Sequence, residues 1–410
     1  LGFGGPAGQI ALMNREYVET RGWISSDAFL KALGFCSLLP GPEAQQLATW
    51  IGFRLHGVKG GLISGGLFIL PGALLLLVLS FVYVQFGTVG LIAAALFGVK
   101  AAVLAVVIEA SWKLAHKTLT TNRRLALAAL TAVGLIVGVP FLLLILLAGL
   151  IEAFASPIKP RSAPARTDAP PTSLPQSSKA VPAAFVLALV WALPVGASFA
   201  LLGPEHVLSA VAGLFSLLAI VSFGGAYAVL AMLQEQALSV QGWVTSSQMM
   251  DALGLAETTP GPLVLVNQFV GFLAGYQSEG GGLALAIGCA LMASWCTFVP
   301  AFVWVFAFGE RVDTLLKNPR LASALGGILA AIWVLLLALA LSFAQDLLFP
   351  TSWSQPVFGF SLTLPDVRSI NFSALVIALV SAAALFGKRL GPLGVVILSA
   401  GLGVAASFLA

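Results

Sequence analysis

Three short motifs occur twice in this chain at one constant spacing. Phe3-Gly4-Gly5, Gly22-Trp23 and Pro40-Gly41-Pro42 return as Phe223-Gly224-Gly225, Gly242-Trp243 and Pro260-Gly261-Pro262, each 220 residues later. No gap is needed between them. A chain that writes the same series of breaks twice must build two equivalent halves. In so apolar a sequence, that implies a duplicated membrane unit whose parts can rock about a site held between them.

The membrane reading rests on composition. Hydrophobic residues make up 59% of the 410 positions and charged residues 9%, too little charge to cover a soluble surface. Apolar runs at 61–86, 88–112, 125–154, 181–202, 207–233, 283–308 and 321–343 are each long enough to cross a bilayer core of about 30 Å. The expected fold is therefore all-α, a polytopic helical membrane protein. Cys36, Cys289 and Cys296 sit in apolar stretches without metal-ligand spacing and read as small core residues. His56, His116 and His206 are isolated and read as boundary residues. No phosphate-binding loop, metal-ligand cluster or nucleophile triad is visible. An enzyme is not expected, nor a cofactor, a metal or a nucleic-acid partner. The chain opens at Leu1 inside an apolar stretch, so earlier residues, including part of a membrane helix, are expected to be missing.

Residues 155–180 hold Pro157, Pro160, Pro164, Pro170, Pro171 and Pro175 among Ser, Thr and basic residues. They read as an extended tether between a first repeat, 1–154, and a second, 181–410. Within each repeat the Pro-Gly-Pro motif interrupts an otherwise helical segment. The arms 28–39 and 42–53 have 12 residues each, about 18 Å as helix, enough for mid-bilayer but not for a crossing. Proline removes a backbone donor and disfavours helix in the residue before it. The pattern suits a re-entrant hairpin with its tip near the membrane centre; one kinked spanning helix is the alternative. The arms 249–259 and 262–273 repeat it.

Charge placement bears on orientation. Arg15 and Arg21 precede the first interrupted segment, Arg54, His56 and Lys59 follow it, and 113–124 is again basic. These mark a cytoplasmic side. The matching loops of the second half, 234–241 and 274–282, contain no Lys or Arg. Basic residues lie instead at Arg311, Lys317 and Arg320, and Lys388 and Arg389 add to the same side. The copies thus read as facing opposite ways, an inverted repeat. The number of crossings between 125 and 206, two or three, stays open.

A helix starting inside the membrane directs unpaired N–H groups and partial positive charge at whatever precedes it, and so holds an anion without a buried cation. The starts at Pro42 and Pro262 supply two such ends, with Pro40, Gly41, Pro260 and Gly261 in the breaks. Ser37, Thr258 and Thr259 precede the breaks; Gln45, Gln46, Asn267 and Gln268 follow within two turns. The Gly4-Gly5 break is counted with the same site. Lys100 lies deep in an apolar run, where a charge costs about 2.5–3.5 kcal/mol and needs a partner or a task. It suits attraction of an anion, or an ion pair, for example with Glu43. Glu43 and Glu257 flank the two breaks. A carboxylate beside an anion opposes binding when ionised and permits it when protonated, one route to proton coupling. Lys31 and Arg54 suit the entrance.

Several of these residues resemble a known family. Phe3-Gly4-Gly5-Pro6-Ala7-Gly8-Gln9-Ile10, Arg15-Glu16-Tyr17-Val18, Gly22-Trp23-Ile24, the stretch Leu39-Pro40-Gly41-Pro42-Glu43-Ala44-Gln45-Gln46-Leu47-Ala48, Arg54-Leu55-His56-Gly57 and Phe97-Gly98-Val99-Lys100-Ala101-Ala102-Val103 are similar to the chromate ion transporter family in its long, two-domain form. The resemblance implies export of chromate from the bacterial cytoplasm through the inner membrane, energised by the proton motive force and giving chromate resistance. Sulfate, a dianion of the same shape, is the implied competitor; an oxyanion channel or sulfate transporter is the alternative. Protons, lipid and a second copy of the chain are the other expected partners. In the second repeat Glu43, Gln45 and Gln46 are replaced by Leu263, Leu265 and Val266. The first repeat is therefore expected to carry most of the polar site.

Overall fold

Two series of matching helices, offset as the motifs are, make up the chain. The computed structural model describes residues 5–155, 179–223, 226–309, 312, 318–357 and 360–408. Gly4, nearly all of the expected tether, Gly224, Gly225, Arg311 and Lys317 lie outside the described residues. The first series is α1 (Gly5–Asn14), a π-helical turn (Arg15–Thr20), α2 (Ser26–Cys36), α3 (Glu43–Phe86), α4 (Gly90–Thr118), α5 (Asn122–Ile136) and α6 (Phe141–Ala155). Then α7 (Ala180–Leu202) and α8 (Val207–Val221) lead to the second: α9 (Ala226–Gln234), a second π turn (Glu235–Val240) and α10 (Ser246–Thr258). A 3-10 turn (Leu263–Leu265) continues as α11 (Val266–Gln277), followed by α12 (Leu283–Phe308), α13 (Pro319–Leu348), α14 (Phe372–Phe386) and α15 (Pro392–Ser407). The two π turns correspond residue for residue, as do the N-caps Ser25 and Thr245, whose hydroxyls accept from Ala28 N–H and Gln248 N–H. A short antiparallel hairpin, Ser352–Val357 with Phe360–Pro365, joins α13 to α14, where an all-α chain was expected.

Among the described residues five helices, α3, α4, α7, α12 and α13, are long and apolar enough to cross a membrane. Leu67, Leu70, Leu74, Val78 and Phe81 form an exposed stripe at helical spacing along α3, the outward apolar face that lipid covers.

The breaks fall where backbone chemistry forces them. Gly41 has φ 114° and Gly261 φ 126°, conformations open to glycine and rarely to other residues. A second break lies inside α3, where His56 and Gly57 leave helical geometry. Beyond it residues 58–86 turn back along 43–55. The Ser64 hydroxyl donates to the Ala48 carbonyl, and a Cβ at Gly52 or Gly60 would strike the other's carbonyl. Helices α11 and α12 form the matching pair. There a Cβ at Gly275 would fall 2.6 Å from the Leu285 oxygen and one at Gly271 2.8 Å from the Cys289 oxygen.

The second interrupted segment doubles back. Ser247 and Gln248 at the start of α10 line the same cavity as Tyr276 and Gln277 at the end of α11, while the Pro260–Pro262 break lies between. Gly87 and Thr88, in the turn before α4, share that cavity. Glu205, Gln241, Gln277 and Ser278 surround an adjoining one. From Gly90 the 29 residues of α4 rise about 42 Å to an opposite end rich in basic groups. There lie Lys113 and Lys117, the Arg54–Lys59 stretch before the long arm of α3, and Arg124, which packs against Gly326 of α13.

Helices α5 and α6 form a tight hairpin. Arg123 at the start of α5 donates to Glu152 at 2.6 Å and to the Ala155 carbonyl at 2.6 Å, near the end of α6. The hairpin returns the chain to the basic end, and α7 then carries it across to Glu205. That is the path through the stretch whose crossings the sequence left open. The repeat-equivalent positions Gly57 and Gln277 accordingly lie at opposite ends.

The halves exchange their closing hairpins. Helix α15 packs on α4 of the first half and α6 packs on α13 of the second. Each contact runs over a glycine: Gly98 meets Ser399 and Gly403, and Gly327 meets Ala148 and Glu152. A side chain at either glycine would overlap backbone of the opposite hairpin.

Candidate functional site

The two Pro-Gly-Pro breaks meet. Pro42, Glu43 and Ala44 at the start of α3 line one small cavity with Pro262, Leu263 and Val264 at the start of the 3-10 turn. Gln9 of α1 and Ala226 at the start of α9 complete it. Reciprocal hydrogen bonds tie the halves together at this point. The Gly41 N–H donates to the Ser222 carbonyl at 3.0 Å, and the Gln9 amide donates to the Gly261 carbonyl. Each break is thus held by the residues next to, or one turn beyond, the Gly-Gly motif of the other half. Helix starts from both halves line a shared volume of about 10 Å³, about one water probe.

Around this volume most polar side chains are committed to backbone. Ser37, Thr258 and Thr259 donate to carbonyls of their own helices, Leu33, Leu255 and Ala256, at 2.8–3.0 Å. Gln46 donates to the Pro40 carbonyl at 2.7 Å and Gln45 to the Phe298 carbonyl at 3.3 Å. Asn267 donates to Thr297 at 3.0 Å and Gln268 to the Ala73 carbonyl at 2.8 Å. These groups hold the broken backbone in shape, which is what buried polar atoms beside a helix break must do. Glu257 differs. It is 4% exposed, and neither carboxylate oxygen has a partner among the described residues. Gly5, the first described residue of α1, lies against it; a Cβ there would sit 3.9 Å from both oxygens.

The other predicted residues lie elsewhere. Lys100 lines the cavity of Ser247 and Gln277, where its ammonium pairs with Asp251 at 3.4 Å rather than with Glu43. Tyr83 donates to the same carboxylate at 2.9 Å. Lys31 pairs with Asp27 at 2.7 Å, one turn away on α2. The Arg54 guanidinium lies over the Trp50 ring at 5.5 Å. Asp251 was not singled out from sequence. Its signal was present, an acid within an apolar helix, but its partner stands 151 positions earlier.

The chain matches the chromate transporter family over residues 1–153 and 209–404. It belongs to that family. Similar proteins include a chromate transport protein of Pseudomonas aeruginosa, 32% identical over 84% of this chain and 78% of that one. Another is a chromate transport protein of Cupriavidus metallidurans, 28% identical over 81% and 76%. A probable chromate transport protein of Synechococcus elongatus is 29% identical over 81% and 78%. No solved structure matches the chain. Both matched segments contain a Pro-Gly-Pro break, so the cavity between the breaks draws on each of them.

Proposed function

We propose that this chromate transporter homologue exports chromate from the bacterial cytoplasm across the inner membrane, driven by the proton motive force, and so confers chromate resistance. The observation that carries the reading is the convergence of helix starts from both halves on one small cavity, in a chain of this family. Chromate carries two negative charges and four acceptor oxygens but no donor. Two helix starts together offer about one unit of positive charge, with N–H donors and no fixed cation to trap the ion. The halves act as an inverted repeat whose rocking opens the breaks first to the basic end, then to the other. Glu43, which opens α3 at the cavity, serves as the coupling carboxylate. An inside-negative potential also favours export, by about 4.6 kcal/mol per 100 mV for two charges.

Proteoliposomes loaded with chromate test this. A pH gradient and a potassium–valinomycin potential, imposed separately, are both expected to accelerate efflux through the protein. Glu43→Gln is expected to abolish the response to the pH gradient while the protein still reaches the membrane. Efflux that follows the chromate gradient and the potential alone would make the chain a channel. Flux no faster than in protein-free vesicles would overturn the reading.

A further inference from the structure

We infer that the cavity between Lys100 and Asp251 is a second oxyanion site, separate from the Pro-Gly-Pro cavity, that admits its anion only when Asp251 takes up a proton. The inference rests on the reading of the chain as an oxyanion carrier and adds to it a place, a gate and a count. The cavity measures about 360 Å³, room for about a dozen waters at about 30 Å³ each, and so for a tetrahedral dianion with part of its hydration shell. Its donors suit such a guest. Lys100, Thr88 and Ser247 line the cavity. The Gln248 amide oxygen accepts from Thr245 N–H at 2.9 Å, which leaves its two N–H groups for the cavity.

One feature blocks that use. Asp251, 2% exposed, holds Lys100 at 3.4 Å through Oδ2, the oxygen that also accepts from Tyr83. Its other oxygen, Oδ1, is buried and has no partner among the described residues. An ionised Asp251 neutralises Lys100 and repels a second anion. A proton on the unpartnered Oδ1 removes both effects, and Lys100 becomes the counter-ion of whatever enters. The anion in turn favours the protonated acid, so the two ligands bind together.

Other charges do not enter this balance. Asp251 lies on α10, which packs against α3, α4, α11, α13, α15 and the 3-10 turn. The ionisable groups these supply to the cavity are Lys100 from α4, Tyr83 from α3 and Tyr276 from α11; α13, α15 and the 3-10 turn supply none. The pair is not demanded by the repeat either. The position equivalent to Asp251 is Lys31, which is tied to Asp27 in its own helix. The acid–ammonium pair is therefore peculiar to the cavity that opens away from the basic end.

Equilibrium binding to the purified full-length protein in detergent tests the inference, with chromate and sulfate as probes from about pH 5 to about pH 9. The wild type is expected to bind two anions per chain at the acid end and one at the alkaline end. Asp251→Asn should bind two throughout, with a second-site affinity at the alkaline end at least about tenfold above that of the wild type, as expected for one lost ion-pair competitor. Lys100→Met should bind one throughout. Asp251→Glu keeps the acid and should restore the pH-dependent count, which guards against a folding defect in the asparagine variant. A single anion bound by all variants at every pH overturns the second site and leaves the carrier reading intact. No anion bound by any variant, with no chromate flux, overturns the carrier reading itself.

Discussion

Gly41 and Gly261 do at residue scale what the rest of the site depends on. Each holds a positive φ between two prolines, and each break is bonded to the opposite half through its own peptide groups. A Cβ at Gly261 would approach Leu265 to 3.2 Å and one at Gly41 would approach the Gln46 amide to 3.1 Å. Steric contact thus adds to the about 1–2 kcal/mol that a left-handed backbone costs any residue but glycine. Gly41→Ala and Gly261→Ala are each expected to lower the melting temperature in detergent and to slow chromate efflux by more than tenfold. Intact flux in both would show that the breaks do not need this backbone shape. The glycines were legible because Pro-Gly-Pro states its own conformation. The roles of the neighbouring hydroxyls were not. Ser37, Thr258 and Thr259 lie at the right distance from the breaks, yet each turns back on its own helix, as short polar side chains in helices do. Which way a serine turns depends on its rotamer and surroundings, and spacing reports neither.

At the scale of elements, the exchanged hairpins decide how the halves stay together. Glu152 on α6 is 1% exposed in its side chain and pairs with Arg123 at 2.6 Å and Arg124 at 3.1 Å. Arg124 also packs on Gly326, and Glu152 on Gly327, both of α13. Glu152→Ala would leave two arginines facing an apolar helix of the other half. The expected cost is about 2–4 kcal/mol, discounted from the fully buried case because both arginines reach solvent. It is read as a lower thermal midpoint in detergent, with Glu152→Asp intermediate. Gly327→Leu is expected to fail more completely, because its side chain would overlap the Ala148 carbonyl; the measurement is the monodisperse yield after extraction. An unchanged yield would show that α6 does not need this close seat on α13. The apolar stretches on either side of Pro140 and of Pro392 in the sequence correspond to α5 and α6 and to α14 and α15. Their exchange between halves was not, because periodicity tells which face a helix buries and never which partner covers it.

For the whole molecule, the segregation of charge predicts how it sits in a bilayer. Basic groups collect at the end holding Arg54, Lys59, Lys113, Lys117, Arg124 and Arg320; at the cavity end the turns 87–89, 241–245 and 278–282 contain no Lys or Arg, and the connection 349–371 contains one, Arg368. Excess basic residues stay on the cytoplasmic side. In the proposed orientation the Lys100–Asp251 cavity opens outward, towards the side to which the proposed export would deliver the anion. Single cysteines placed at the two ends check this directly. Cys36, Cys289 and Cys296 are each buried to less than 1% exposure, so the native background to an impermeant maleimide is low. Thr88→Cys and Gln277→Cys, in cells with an intact inner membrane, are expected to label from outside. His56→Cys and Lys117→Cys should label only after permeabilisation. Thr88 and His56 bracket the long arm of α3, and Lys117 lies at the far end of α4, so the pattern reports the direction of both helices at once. The reverse pattern would place the Lys100–Asp251 cavity on the cytoplasmic face and make it the point where the anion is admitted. Labelling of all four from outside would mean that α3 and α4 do not cross, and the two-ended architecture on which alternating access depends would have to be abandoned.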